Sequence, residues 1–203
     1  MHRFTSRLSR IAVLAIALVG LAGVAQAGSA RDQIAKLNTV FTEVTKDAKT
    51  LGYDGRYEKL QPALIEAYDF DAMTRVTTGR YWRDFTDDQK KQAIAAFRDL
   101  SIATYAARFD GSGGQRFEIL GEEPAPAGNL RVNTQAVPTN GEPVRIDYLL
   151  RQDSGKWRVI DIYLKSSVSE LAMRRDEFTA ILAKSGFEGL MADLKAKVTQ
   201  LQG

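Results

Sequence analysis

The 203-residue sequence contains no cysteine and a single histidine, His2. Without thiols there are no disulfide staples, no Cys–His nucleophile and no thiolate metal site. With no histidine beyond position 2, the Ser-His-Asp arrangement and the usual zinc sites are excluded as well. No G-x-x-x-x-G-K-[ST] loop and no G-x-G-x-x-G opening a helix is present, so no nucleotide site is indicated. No metal and no cofactor are expected. The longest apolar run, residues 11–24, is interrupted by glycine and falls short of the ~20 residues that a membrane-spanning helix needs.

What is present begins with that run. Arg3, Arg7 and Arg10 precede it, and Ala25-Gln26-Ala27 closes it. A positive start, an uncharged apolar stretch and an A-x-A site form a secretory signal peptide cleaved after Ala27. Residues 1–27 are expected to be removed, and 28–203 to form one domain exported to the periplasm. No cysteine follows the run to take a lipid anchor. Cleavage also changes the charge. The full chain has 28 basic and 25 acidic residues, and the loss of three arginines leaves the mature part with no net charge. Nucleic-acid binders keep a basic excess on the folded surface, so no nucleic-acid partner is expected.

Along the mature chain, Ile34, Leu37, Phe41, Val44 and Leu51 recur at helical spacing, with Gly52 as the expected stop. A second helix is predicted over 57–68, with Pro62 near its start or breaking it. A third covers 70–80, with Asp69 or Asp71 as its cap. Thr86-Asp87-Asp88-Gln89 is a capping box for a helix reaching to about Phe109. Ile94, Phe97, Leu100, Ile102, Tyr105 and Phe109 cover more than one of its faces, which marks it as buried and central. A loop at 111–114 then ends the helical half.

Four strands are predicted, at 116–122, 129–137, 143–152 and 156–165, with turns at 124–128, Asn140-Gly141 and 153–155. Connections this short favour an antiparallel meander. In the fourth strand, alternation sets Ile160, Ile162 and Leu164 against Trp157, Val159, Asp161 and Tyr163. Helix resumes at Ser169 as N-cap, with Leu171, Phe178, Ile181 and Leu182 as its stripe. Gly186 stops that helix, and a final amphipathic helix follows. The fold class is α+β, with helices packed on a curved antiparallel four-stranded sheet.

Only carboxylates, tyrosines and lysines remain for catalysis. Asp161, among Val159, Ile160, Ile162 and Tyr163, needs a partner or a raised pKa. It reads either as a general base, as in a small isomerase using Tyr148 or Tyr163, or as a structural group bonded to a helix terminus or to Arg174 or Arg175. The two tyrosines read as pocket hydroxyls or as core rings with the oxygen at the rim. Trp82 and Trp157 are equally open between core and cavity.

Several segments resemble one family. Phe70-Asp71-Ala72-Met73 followed by Gly79-Arg80-Tyr81-Trp82 is similar to its FD-x-x-M…G-x-x-W signature. Phe97 through Thr104-Tyr105-Ala106 matches F…L-x-x-T-Y-A. Residues 144–150 and 155–162 match V-x-Y-x-L…G-x-W-x-V-x-D-V, and Arg175 and Phe178 fall on Y-R-x-x-F. The family is MlaC, also called toluene-tolerance proteins, the periplasmic lipid-binding components of Mla phospholipid transport. Where those carriers usually read G-V-S-L, this sequence reads Ser167-Val168-Ser169-Glu170 and continues Leu171-Ala172-Met173-Arg174-Arg175. That form resembles the hopanoid-associated HpnM branch.

The resemblance implies an MlaC-like or NTF2-like fold with an apolar pocket between sheet and helices. It implies a monomeric carrier rather than an enzyme, with a phospholipid or a hopanoid as ligand. An inner-membrane ABC transporter bearing a lipid-binding ring is implied as partner, and an outer-membrane lipoprotein complex as a second one. The expected pocket residues are Phe70, Met73, Trp82, Phe97, Leu100, Tyr105, Ile146, Tyr148, Ile160, Ile162, Phe178 and Leu182, with Arg175 at the mouth or paired to Asp161. A periplasmic adaptor with a solid core is the third reading.

Overall fold

Ser29 starts the first helix by accepting from the Asp32 N–H at 3.0 Å, while the Asp32 carboxylate accepts from the Ser29 N–H. The computed structural model describes residues 28–111 and 115–202. The expected signal peptide and residues 112–114 of the glycine-rich loop therefore lie outside the described residues. Helix α1 (Ala30–Lys46) buries Ile34, Leu37, Phe41 and Val44. It ends six residues before Gly52, the stop expected from the sequence. A helical turn at 48–51 intervenes, and Gly52, at φ 62°, separates it from the remainder of α2 (Ala48–Ala67). Pro62 does not break α2. The carbonyl that its ring deprives of a partner belongs to exposed Glu58, where water replaces the lost bond.

Asp69 caps α3 (Phe70–Thr78), accepting from the Ala72 N–H at 3.0 Å. Gly79, at φ 57°, ends α3 and opens a 3₁₀ turn, Gly79–Arg83. A Cβ there would stand 3.3 Å from Thr179 Cγ2 and 3.4 Å from Arg175 Nε. The glycine serves both the turn and the close approach of the last helix. The Thr86–Gln89 capping box forms as expected and opens α4 (Asp87–Arg108).

The sheet runs β1 (Arg116–Ala125), β2 (Asn129–Val137), β3 (Val144–Asp153), β4 (Lys156–Leu164) and β5 (Val168–Ser169), antiparallel and in sequence order. Five strands stand where four were expected. The extra one exists because Lys165 and Ser166 both adopt left-handed backbone, at φ 50° and 62°. Ser167 N–H then donates to the Leu164 carbonyl and turns the chain back on β4. A turn of this kind normally carries Asn-Gly, so Lys-Ser gave no signal. Helix α5 (Glu170–Leu201) follows, with Gly186 at φ 64° dividing it where the sequence placed a stop.

One face of the sheet is covered by the helices. Leu130, Leu150 and Val159 line up across it, as do Val132, Tyr148 and Ile162. Strict alternation had put Val159 on the side opposite Ile162. A bulge in β4 overturns this: Leu149 faces Asp161, Leu150 faces Val159, and Ile160 has no partner on β3. Both Val159 and Ile162 therefore reach the core, and Ile160 stays half-buried outside it.

The core is aromatic. Phe41 meets Tyr105, Phe109 and Phe117 at ring distances of 5.0–5.4 Å, and Phe97 lies edge-on to Phe70 and Phe178. Arg56 is buried among these helices. Its Nε donates to the Ala106 carbonyl at 2.7 Å and its Nη1 to the Ala48 carbonyl at 3.0 Å, binding the end of α4 to the start of α2. Arg56→Ala leaves both carbonyls without these partners. We expect it to lower unfolding stability by about 2–3 kcal/mol, read as a shift in the urea midpoint with an unchanged m-value.

Candidate functional site

Five elements converge beneath the covered face. Tyr68 at the end of α2, Met73 of α3, Phe97, Leu100 and Tyr105 of α4, Ile162 of β4 and Leu171 of α5 line one small cavity. Tyr68 and Tyr105 share a hydroxyl–hydroxyl hydrogen bond of 2.7 Å. Burial pushes both hydroxyls, and that of Tyr148, above the ordinary tyrosine range, so they stay neutral. The cavity measures only about 20 Å³, room for a single water molecule. The open apolar hollow expected from the sequence is therefore absent in this state. The reason is physical: walls that face nothing lose dispersion contacts, so the rings of Phe97, Phe178 and Phe70 close on one another.

Ser101, Thr104 and Arg108 on α4, with Glu170 and Arg174 on α5, complete the lining. They form a polar rim where the two helices meet. The hydroxyls of Ser101 and Thr104 are spent on carbonyls of their own helix. Arg174 donates to Glu177 at 3.2 Å. Glu170 is half-buried, and its carboxylate makes no hydrogen bond or ion pair with the described residues. Burial raises its pKa above the ordinary carboxylate range. Nearby Arg174 and Arg108 pull it down only in part, and Asp161 adds to the rise.

On the other side of the first turn of α5 lies an open groove of about 710 Å³. Val76, Arg80 and Tyr81 form one wall, and Ala172, Arg175, Thr179 and Ala183 the other. Leu171 lines the groove as well as the closed cavity, so this one turn of helix separates the two. Asp161 fixes it. Its carboxylate accepts from Ser169 Oγ at 2.7 Å, from the Leu171 N–H at 3.3 Å and from the Ile162 N–H at 2.7 Å. Of the roles open to Asp161, bonding to a helix terminus is the observed one, and neither Arg174 nor Arg175 pairs with it. Tyr148 lies across the sheet from it, and Tyr163 sits under the Arg131 guanidinium at 4.2 Å. The acid–base pairing considered for an isomerase does not form.

The sequence-predicted residues divide accordingly. Met73, Phe97, Leu100, Tyr105 and Ile162 meet at the cavity. Phe70, Tyr148, Phe178 and Leu182 are core behind it, and Ile146 is half-buried on the same sheet face. Arg175 lies in the groove. Trp82 is elsewhere, with Arg75 and Lys90 over its ring, and Ile160 is excluded by the bulge. The sequence reading missed Tyr68, Leu171 and the rim. Ser101, Thr104 and Arg108 follow one another on the α4 face that carries Phe97 and Leu100, and that spacing was the available signal.

A closed apolar interior thus lies behind a rim of mixed charge, on an α+β fold of helices over one sheet face. Residues 35–196 match the family described as MlaC protein, and the chain belongs to the MlaC family. The fold is shared with a phospholipid-binding protein from Ralstonia solanacearum, solved in complex with a phospholipid. The TM-score is 0.72 at 22% identity, over 85% of this chain and 96% of that one.

The rim makes a pH prediction. The folded pKa of Glu170 lies above its unfolded value, so the native state binds the extra proton. Its stabilising contribution is complete below the ordinary carboxylate range and is lost as pH rises through the raised value. Glu170→Gln is expected to be more stable than the parent at neutral pH and equal to it in acid. Urea midpoints of both proteins across that range check this; equal midpoints at neutral pH would count against it.

Proposed function

We propose that the protein is a periplasmic lipid carrier that holds the hydrocarbon of a phospholipid between α4, α5 and the covered sheet face. The observation that carries this reading is the convergence of Tyr68, Met73, Phe97, Leu100, Ile162 and Leu171, from separate elements, on one apolar interior with a polar rim. The lipid-bound relative of the same fold supports it. Leu171 lines both the closed cavity and the open groove, and loading moves the first turn of α5 so that interior and groove join.

The energetics favour such a carrier. Each methylene exposed to water costs about 0.8 kcal/mol, so two acyl chains of roughly thirty methylenes oppose leaving a bilayer by on the order of 25 kcal/mol. A soluble shuttle has to replace the bilayer with apolar walls of its own. Separating walls that are already packed opposes binding, and that opposition makes release possible. A mature chain without net charge gains little long-range attraction to anionic membranes. That is consistent with docking on proteins, and the family resemblance implies which: an inner-membrane ABC transporter with a lipid-binding ring, and an outer-membrane lipoprotein complex. The monomer is the working unit. The Ser169-Glu170-Leu171 departure from the usual phospholipid-carrier sequence favours a second ligand class, a hopanoid.

Native mass spectrometry of the processed protein, purified without detergent and mixed with phospholipid vesicles, tests the reading. One phospholipid per chain is expected. No lipid mass under these conditions would remove the carrier reading and leave the adaptor, and a hopanoid mass from native membranes would replace the ligand class. A second measurement concerns the wall. Leu171→Ala should destabilise the protein without lipid by about 2–5 kcal/mol and the lipid-saturated protein by less, because hydrocarbon fills the space the truncation leaves and so binds the variant more tightly. Thermal midpoints with and without lipid make the comparison.

A further inference from the structure

The rim between α4 and α5 carries both signs of charge, and only part of it is internally satisfied. Arg174 has Glu177 as a partner. Arg108 is exposed and makes no ion pair with the described residues. Glu170 is half-buried, lines the same cavity and makes no hydrogen bond or ion pair with the described residues. A ligand that covers such a carboxylate takes away its water, and must bring a cation or N–H donors in exchange. The guanidiniums beside it ask for an anion, which two planar forks hold well.

Taking the carrier reading as its basis, we propose that this rim selects a zwitterionic head group, a phosphodiester bearing a primary ammonium, with Arg108 and Arg174 facing the phosphate and Glu170 receiving the ammonium. An anionic head group with neutral hydroxyls satisfies the arginines but leaves Glu170 beside added negative charge. A quaternary ammonium brings charge but no N–H to donate. The primary ammonium answers both requirements. Glu170 is then a specificity-determining residue at the mouth, apart from the apolar walls that hold the chains.

The test uses the processed chain and vesicles of equal phosphatidylethanolamine and phosphatidylglycerol with matched acyl chains, read by native mass spectrometry of the loaded protein. The wild-type chain is expected to carry the ethanolamine lipid in about threefold to tenfold excess, the range that one charge-assisted contact gives. In Glu170→Gln the ratio should fall to that of the vesicles while total loading persists. In Arg108→Gln total loading of both lipids should fall. Free phosphoethanolamine is added in a parallel arm, and a failure to compete there assigns the selectivity to the intact lipid. Wild-type loading in the vesicle ratio, a preference for the glycerol lipid, or a preference that survives in Glu170→Gln overturns the proposal and leaves the carrier reading intact. A wild-type chain that loads neither lipid removes the carrier reading itself.

Discussion

Everything in this molecule rests on the contact between the apolar faces of α4 and α5 over the covered side of the sheet. No disulfide is available to a chain without cysteine, and its single histidine, His2, lies outside the described residues. The joint must therefore be made by side-chain packing, at about 25 cal/mol for each Å² of apolar surface removed from water. Phe97 stands at its centre, against Phe70 on one side and Phe178 on the other. The surfaces that stabilise the fold are also those that a hydrocarbon ligand would touch. In the proposed carrier, stability and capacity for ligand would compete for the same side chains, and packing has left a cavity of only about 20 Å³ among them.

Polar side chains decide where the walls stand. The bulge at Ile160 leaves the Val159 carbonyl free to accept from the Asp69 N–H at 2.9 Å. Asp69 also caps α3 and pairs with Arg151 of β3 at 2.7 Å. One aspartate thus anchors the α2–α3 junction to the sheet, and this holds Tyr68 where its hydroxyl reaches Tyr105. Asp161, two residues beyond Val159 along β4, does the same for β5 and the first turn of α5. The two carboxylates restrain the elements that would have to shift for the interior to open. They act by geometry and not by chemistry on a substrate.

The sequence disclosed these parts unevenly. The α+β class, the meander, the Asp69 cap, the Thr86–Gln89 box and the Gly186 break were legible, because each depends on residues close together in the chain. That Met73, Phe97, Leu100, Tyr105 and Ile162 share one apolar interior was legible from the family resemblance and their place on apolar stripes. The bulge was not legible, because its cause is a partner from elsewhere: the Tyr68–Asp69 segment that docks on Val159. It displaced Ile160 from the site and brought Val159 into the core. The extra strand was hidden for a different reason, since Lys165 and Ser166 adopt backbone conformations that their side chains disfavour. The state of the cavity could not be read at all, because periodicity marks a face as apolar and does not say whether another face meets it.

Glu170 draws these strands together. It follows an N-cap and opens a helix, where a carboxylate is ordinarily favourable, so sequence logic would class it as a cap residue. The fold sets it half-buried instead, beside tyrosines and guanidiniums, with no protein donor among the described residues. A carboxylate in that position lowers the stability of the lipid-free protein, and a leucine there would pack better. Proteins tolerate such local penalties mainly where a site has work to do. The penalty falls on the one turn of helix that divides the closed interior from the open groove, so whatever neutralises Glu170 also stabilises that turn around its ligand. Loading and recognition are then a single event at a single residue, and the apolar walls need no head-group discrimination of their own.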